Sequence, residues 1–164
     1  PDWVDDNLKQ GVGLGSDQYE QVMSVSKKAS QRVGKQNVTI TGHSMGGGTS
    51  SASGIITGSD TYAFNPAGVH PNTLEEYGKT RANSSNIYSI YAASDPLNGL
   101  QNNLPSLARP SVGNRLRFET ANNFNLSDPF AYPLAGHGMP LLIDEIERQA
   151  ASHKDDNKLL ALHQ

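Results

Sequence analysis

Apolar positions near the start of the chain recur at helical spacing. Tyr19, Val22 and Val33 fall on one face, with small residues between them, and predict a helix over residues 16–33. The serine at its start and the glycine that follows it are suitable cap and stop residues. The β-branched run that comes next, over residues 37–42, predicts a short strand.

Farther along the chain, β-branched and aromatic runs alternate with helical or irregular segments. The other predicted strands cover residues 61–64, 86–92 and 115–119. The other predicted helices cover residues 45–56, residues 73–77 and a closing segment that begins near Pro140. Two prolines and several glycines and asparagines predict a long loop over residues 97–114. This alternation predicts an α/β fold, with a mostly parallel sheet and helices on both faces.

Composition restricts the class of protein. At 164 residues the chain is long enough for one domain, and we expect a single domain over residues 1–164. The sequence has no cysteine, which excludes disulfides, thiolate zinc sites and a cysteine nucleophile. A net charge of −3 gives no broad cationic field for nucleic acid. No apolar run approaches the roughly 18 residues that a membrane-spanning helix needs.

The most informative motif is Gly42-His43-Ser44-Met45-Gly46, a G-x-S-x-G pentapeptide. It follows a β-branched strand and precedes a run of small residues, the context in which this motif presents a nucleophile on a sharp strand-to-helix turn. We expect both flanking glycines to be required, because a Cβ at either position would crowd the turn. Ser44 is therefore the predicted nucleophile, and the Met45 N–H the predicted oxyanion donor. A glycine-rich structural turn is the alternative.

A serine nucleophile needs a general base, and in this architecture the acid and then the base follow the serine in the chain. His137 is the preferred base because glycines on both sides let its loop reach the turn; a structural loop histidine is the alternative. The other histidines are expected to have no catalytic role. His43 would pack inside the turn and point away from Ser44, His70 precedes the acid, and His153 and His163 lie in a polar tail.

Asp95 is the preferred acid. It follows the strand predicted at residues 86–92, so it emerges at the edge of a parallel sheet where the nucleophile lies. The proline after it fixes the turn. Asp128, shortly before His137, is the competing candidate, with a turn or a helix cap as its other interpretation. Asp60 precedes its strand and is expected at the opposite edge.

A stretch rich in side-chain oxygens is a minor candidate for a calcium site. Its ligands would be Asn122, Asn123, Asn125 and Asp128. Calcium takes about six to eight oxygen ligands, usually with more carboxylates than this stretch offers. We therefore expect no metal and no cofactor.

Several segments together resemble the class 3 lipases of the α/β-hydrolase superfamily, nearest to bacterial phospholipase-like members. They are the GHSMGG segment at residues 42–47, AFNPAG at 63–68, SDPL at 94–97, and His137. The resemblance implies the C-terminal part of an α/β-hydrolase fold, with Ser44 as nucleophile, Asp95 as acid and His137 as base. Some of these proteins are antibacterial effectors delivered by secretion machines, which implies a secreted or delivered effector with an immunity protein as a candidate partner.

The chain departs from this family at its start. Family members carry several strands ahead of this region, including a loop that supplies a second oxyanion N–H, whereas residues 1–15 hold no predicted strand. Because these strands are missing, we expect a fragment, or N-terminal strands supplied by another chain, and the opening at Pro1 without an initiator methionine indicates that this is not the native start. The strand near residues 37–41 would then be an uncovered edge. Loss of one oxyanion donor costs about 10²–10³ in rate.

The predicted function is hydrolysis of acyl esters in lipids, of lipase or phospholipase A type, through an acyl-enzyme. The predicted loop carries four leucines that either line an acyl groove or lid, or anchor the loop on the core: Leu97, Leu100, Leu104 and Leu107. One alternative is a non-lipid esterase or thioesterase. Another is a hydrolase-fold fragment that only binds a protein partner. Contact with a membrane surface is expected, without a transmembrane segment.

Overall fold

The computed structural model describes residues 15–105, 108–119 and 136–161. Its helices are α1 (Gly15–Val33), α2 (Met45–Thr57), α3 (Pro71–Glu75), α4 (Pro96–Asn103) and α5 (Met139–Ala161), with a 3-10 turn at Lys35–Asn37. Its strands are β1 (Thr39–His43), β2 (Asp60–Phe64), β3 (Ile87–Ala92) and β4 (Asn114–Phe118). The predicted strands and helices are confirmed, and their ends differ by two residues at most, except that the closing helix, predicted only by its start near Pro140, continues to Ala161.

The four strands of the described segments form one parallel sheet in the order β1-β2-β3-β4. Because every neighbouring pair is parallel, the carboxyl ends of the strands meet at one edge. This confirms the predicted α/β class and the mostly parallel sheet, and the arrangement is that of part of an α/β-hydrolase fold. Residues 1–14, on which the predicted lack of earlier strands depends, lie outside the described residues.

Helix α2 lies close against the sheet because its side chains are small. Its residues from Gly47 to Ile55 are all buried. A Cβ added at Gly54 would overlap the Thr61 side chain on β2, and one at Gly48 would overlap the Tyr19 hydroxyl on α1. A glycine in a helix interior costs about 1 kcal/mol relative to alanine. Close packing against two neighbouring elements offsets that cost here.

The core lies between α1, α2 and the sheet, and it extends into the segment after β2. Its buried apolar side chains are Tyr19, Met23, Ala52, Ile55, Val69, Leu74, Ile87 and Val112. Tyr19 is 9% exposed, and burial raises the pKa of its hydroxyl to about 12. The apolar face predicted for α1 therefore reaches the core through Tyr19, whereas Val22 and Val33 stay exposed.

The sheet face turned away from α2 carries large side chains that solvent reaches. Tyr62 on β2 and Tyr88 on β3 stack there with ring centroids 5.3 Å apart. Leu116 on β4 pairs with Ile90 on the same face and is exposed. Helix α5 contacts β3 and β4, and its Leu142 is fully buried.

The segment predicted as a long loop over residues 97–114 begins instead with α4. Asp95 caps this helix by accepting hydrogen bonds from the N–H groups of Leu97 and Asn98, and a proline occupies its first position. The prediction was wrong because glycine and asparagine lower helix propensity, and it gave no weight to the cap and the proline.

The leucines of this segment do not share one environment. Leu97 is 9% exposed and anchors α4 on the protein, whereas Leu104 is 47% exposed. Leu100 is half-buried, and Leu107 lies outside the described residues. An acyl groove or a lid built from these leucines therefore stays a prediction.

Candidate active site

Ser44 lies between β1 and α2 in a sharply turned backbone, with φ 59° and ψ −122°. A positive φ is unfavourable for a residue with a Cβ and costs on the order of 1–3 kcal/mol. Main-chain hydrogen bonds hold the turn in place. The Ser44 N–H donates to the Phe64 carbonyl at 3.0 Å, and the Ser44 carbonyl accepts from the N–H groups of Gly48 at 3.2 Å and Ala67 at 2.9 Å.

The turn requires glycine at two nearby positions, but only one of them, Gly42, belongs to the predicted pair Gly42 and Gly46. A Cβ at Gly42 would overlap the Gly46 carbonyl and lie 2.5 Å from Ser50 Oγ. A Cβ at Gly47 would lie 2.8 Å from Pro66 Cβ. In the described part of the chain, apart from its sequence neighbours and the nearby backbone of α2, no heavy atom lies within 4 Å of a Cβ added at Gly46. The expectation that both glycines of the pentapeptide are required is therefore wrong for Gly46.

Ser44, His137 and Asp95 form a continuous line of hydrogen bonds at the carboxyl edge of the sheet. His137 Nε2 lies 2.7 Å from Ser44 Oγ, and His137 Nδ1 lies 2.9 Å from Asp95 Oδ1. Because an ionised carboxylate only accepts, Nδ1 carries the proton and Nε2 accepts from the serine hydroxyl. The Asp95 side chain is fully buried and that of His137 is 24% exposed. The three residues predicted as nucleophile, base and acid thus lie in contact.

The Asp95 carboxylate has several other donors. Oδ1 accepts from the Leu97 N–H at 3.1 Å, and Oδ2 accepts from the Asn98 N–H at 3.4 Å. The side-chain amide of Asn98 also donates to Oδ2, and Arg115 on β4 donates to Asn98 Oδ1 at 3.4 Å. A buried carboxylate is stable only when such donors satisfy it. Their positions also fix its orientation toward His137.

Gly136 allows the segment that carries His137 to approach the segment that carries Asp95. A Cβ added at Gly136 would lie 2.5 Å from the Ser94 carbonyl oxygen, which is closer than real Cβ atoms come to backbone. The two segments can therefore pack with this spacing only if residue 136 has no side chain.

Met45, the predicted oxyanion donor, is the first residue of α2. The N–H groups of a first helical turn have no acceptor within their own helix, so they are available to an anion next to Ser44. The position fits the expected role, which stays a prediction.

His43 does not point away from the site, as the sequence had suggested. Its ring centroid is 4.9 Å from that of His137, with the rings tilted by 41°. Its Nε2 lies 2.7 Å from the main-chain oxygen of His137. The expectation was wrong because the contact joins residues 94 positions apart, which no local pattern in the sequence reveals.

The other candidates from the sequence lie away from this line of contacts or outside the described residues. His70 caps α3 by accepting from the Asn72 N–H at 3.2 Å. Asp60 opens β2 and is exposed, at the edge of the sheet opposite Ser44. Asp128, His163 and the side chain of His153 lie outside the described residues.

Two asparagines next to the site were not singled out from the sequence. Asn98 is the third residue of a helix capped by an aspartate, a position whose side chain reaches back toward the cap. Asn65 directly follows β2 and donates to the His137 main-chain oxygen at 2.9 Å. Its place just after a strand, before a proline, was the available signal.

Neither a metal cluster nor a membrane span is found in the described part of the chain. Residues 15–105, 108–119 and 136–161 hold no group of three or more His, Asp or Glu side chains suited to a metal ion. The candidate calcium ligands at residues 122–128 lie outside these ranges. Across the same ranges, no helix combines the length and the apolar character needed to cross a membrane.

Comparison with known proteins gives two matches. Residues 1–125 match the phospholipase-like family described as the Tle-like phospholipase domain. Ser44 and Asp95 lie within the matched residues, and His137 lies beyond them. An extracellular phospholipase A1 of Serratia liquefaciens is 30% identical in an alignment 162 residues long, and the match covers 90% of this chain and 49% of that protein. The chain therefore spans about half the length of this curated relative.

Proposed function

Since the chain belongs to the Tle-like phospholipase domain family, we propose that it hydrolyses acyl ester bonds of phospholipids, with Ser44 as the nucleophile. The observation that carries the serine mechanism is the unbroken contact from Ser44 Oγ through His137 to Asp95, at 2.7 Å and 2.9 Å. The observation that carries the substrate class is the similarity to a phospholipase A1.

In the first half of the proposed reaction, Ser44 Oγ attacks the ester carbonyl carbon while His137 Nε2 takes the hydroxyl proton. Asp95 keeps the imidazole in the required tautomer and stabilises its charged form. The Met45 N–H donates to the oxyanion of the tetrahedral intermediate. The intermediate then collapses with cleavage of the ester C–O bond, and His137 gives its proton to the departing oxygen, so that the lysolipid leaves as an alcohol and the acyl group stays on Ser44.

In the second half, water attacks the acyl-serine carbonyl and His137 takes a proton from that water. Collapse of the second tetrahedral intermediate breaks the bond to Ser44 Oγ, and His137 returns the proton to the serine. A fatty acid is released and the starting state is restored. Every proton transfer uses His137 Nε2, so the contact between this atom and Ser44 Oγ is used in both acylation and deacylation.

The experiment that tests this proposal is covalent labelling with a fluorophosphonate, followed by mapping of the modified residue. We expect a label on Ser44 that disappears in Ser44→Ala and is strongly slowed in His137→Ala, with release of fatty acid from phospholipid vesicles by the unsubstituted protein. A folded protein that takes up no label and cleaves no ester would contradict the proposal, and would favour a module that only binds a partner.

A second measurement distinguishes a lipid hydrolase from a general esterase. A lipid hydrolase gains activity when the same ester is presented in micelles or vesicles, whereas a soluble esterase or thioesterase gains none. The antibacterial effector role and an immunity-protein partner stay predictions of the family resemblance.

A further inference from the structure

The main-chain oxygen of His137 accepts hydrogen bonds from two side chains at the carboxyl edge of the sheet. His43 Nε2, at the end of β1, lies 2.7 Å away, and Asn65 Nδ2, just after β2, lies 2.9 Å away. Both donors are distant in sequence from residue 137, by 94 and 72 positions. We propose that Asn65 and His43 are positioning residues that fix the backbone of His137, so that its imidazole reaches Ser44 and Asp95 together.

Hydrogen bonds hold the side-chain amide of Asn65 in a single orientation at the edge of the sheet. It is fully buried, and its φ of 40° lies in the left-handed region. Its N–H donates to the Ile90 carbonyl at 2.8 Å, and its Oδ1 accepts from the Ala92 N–H at 2.9 Å. Because the Ala92 N–H can only donate, Oδ1 must face Ala92 and Nδ2 must face the His137 carbonyl. The amide therefore bridges the end of β3 to His137.

The contact also determines the tautomer of His43. A carbonyl oxygen only accepts, so Nε2 of His43 must carry a proton. The His43 ring also lies beside the imidazole of His137, with centroids 4.9 Å apart and the two rings tilted by 41°. His43 thus contacts both the main chain and the ring of His137.

The position of His137 must be fixed closely because the proposed reaction depends on it. His137 must meet Ser44 and Asp95 on opposite sides of one ring, and a misplacement of about 1 Å costs roughly 10²-fold in rate. A buried asparagine is tolerated only when its polar atoms are paired. Asn65 is paired entirely between a strand end and the base, which a purely structural turn residue would not require.

The first test uses a matched pair at the half-buried residue His43. Glutamine keeps an N–H donor for the His137 carbonyl, and leucine has similar bulk without one. We expect His43→Leu to lower kcat on a p-nitrophenyl ester about 10- to 100-fold, with KM unchanged, and His43→Gln to lose clearly less. Equal losses in both variants, or kcat of His43→Leu within about twofold of the unsubstituted protein, would overturn the proposal.

The second test uses Asn65→Asp, which keeps the volume and the acceptor for the Ala92 N–H but turns an oxygen toward the His137 carbonyl. We expect a loss of kcat similar to that of His43→Leu in protein whose circular dichroism is unchanged. If this variant does not fold, the pair at His43 decides alone.

The decisive readout is the effect of these substitutions when His137 is absent. Because both residues act through His137, His43→Leu should leave the residual labelling rate of Ser44 in the His137→Ala protein unchanged. A further loss in that background would show a general structural role and contradict the positioning role. This inference rests on the proposed function, but a different result would refute each of them. If Ser44 is labelled normally and these substitutions have no effect, only the positioning role is refuted.

Discussion

Asp95 contacts His137 through the same oxygen that caps helix α4. Oδ1 lies 2.9 Å from His137 Nδ1 and 3.1 Å from the Leu97 nitrogen. One buried oxygen therefore orients the imidazole and closes the first turn of a helix. The two effects can be separated only by substitutions that preserve one of them.

Asp95→Asn separates them, because asparagine caps a helix about as well as aspartate but carries no charge. We expect kcat to fall by about 10³–10⁴-fold, since the imidazole loses its anionic partner and its preferred tautomer. The amide nitrogen that replaces Oδ2 faces the two Asn98 donors, so urea unfolding should show a loss of about 1.5–3 kcal/mol while the Leu97 N–H keeps its acceptor. Asp95→Ala, which removes the cap as well, should lose a further ~1 kcal/mol of stability. A kcat for Asp95→Asn close to that of the unsubstituted protein would contradict the assigned role.

The Asn98 side chain is expected to support Asp95. In Asn98→Leu the carboxylate loses a buried charge-assisted hydrogen bond, so stability should fall by about 1.5–3 kcal/mol, and kcat should fall less than in Asp95→Asn. Asn102→Leu is the matched control, because Asn102 also accepts from Arg115, at 3.0 Å, but is exposed. Measured by urea unfolding and ester hydrolysis, a control as impaired as Asn98→Leu would mean that Arg115, and not Asp95, is the group affected.

Two glycines of the pentapeptide should respond differently to alanine. In Gly42→Ala the new Cβ meets the Gly46 carbonyl, a backbone atom that cannot yield without moving α2. We expect a loss of at least about 1–3 kcal/mol or failure to fold. Gly46→Ala meets open space within α2, so it should be neutral or stabilise by about 0.5–1 kcal/mol. Thermal or urea unfolding of the pair checks this, and equal destabilisation would refute the difference in packing.

Tyr19 makes stability depend on pH in the alkaline range. Burial raises its pKa from 10.0 to about 12, so between these values the unfolded chain loses the proton while the folded chain keeps it. Stability should therefore fall as pH rises above 10, by about 1.4 kcal/mol per pH unit and on the order of 2–3 kcal/mol in total. Tyr19→Phe should lack this part of the decline. Urea midpoints at pH 8 and pH 11 for both proteins give the comparison, and parallel declines would contradict burial as the cause.

The contacts among Ser44, Asp95 and His137 could be predicted from the sequence, because they depend on short local motifs and on the order of parallel strands. A β-branched strand before G-x-S-x-G and small residues after it indicate a strand-to-helix turn at Ser44. A parallel sheet then brings the residue after another strand, Asp95, to the same edge. Glycine beside His137 indicated a loop able to approach closely, and Gly136 packs against Ser94 in this way.

Other features depended on contacts that a local pattern does not contain. Helix α4 forms despite glycine and asparagine because Asp95 caps it and Leu97 is buried. The roles of His43 and Asn65 depend on a main-chain oxygen more than 70 positions away. The sequence shows which residues can donate a hydrogen bond, but not which carbonyl will be in reach.

The wide separation in the sequence of Ser44 and His137, 93 positions, has a consequence for the order of folding. Parallel strands pair only after long crossovers have closed, so such sheets form slowly. Until β1, β2 and β3 have assembled, Ser44 lacks its hydrogen bond to Phe64. Over the same period the residues that contact His137 are not yet together at the sheet edge. During refolding, helical circular dichroism should therefore return before reactivity toward a fluorophosphonate, because Ser44 should stay unreactive until the sheet has formed.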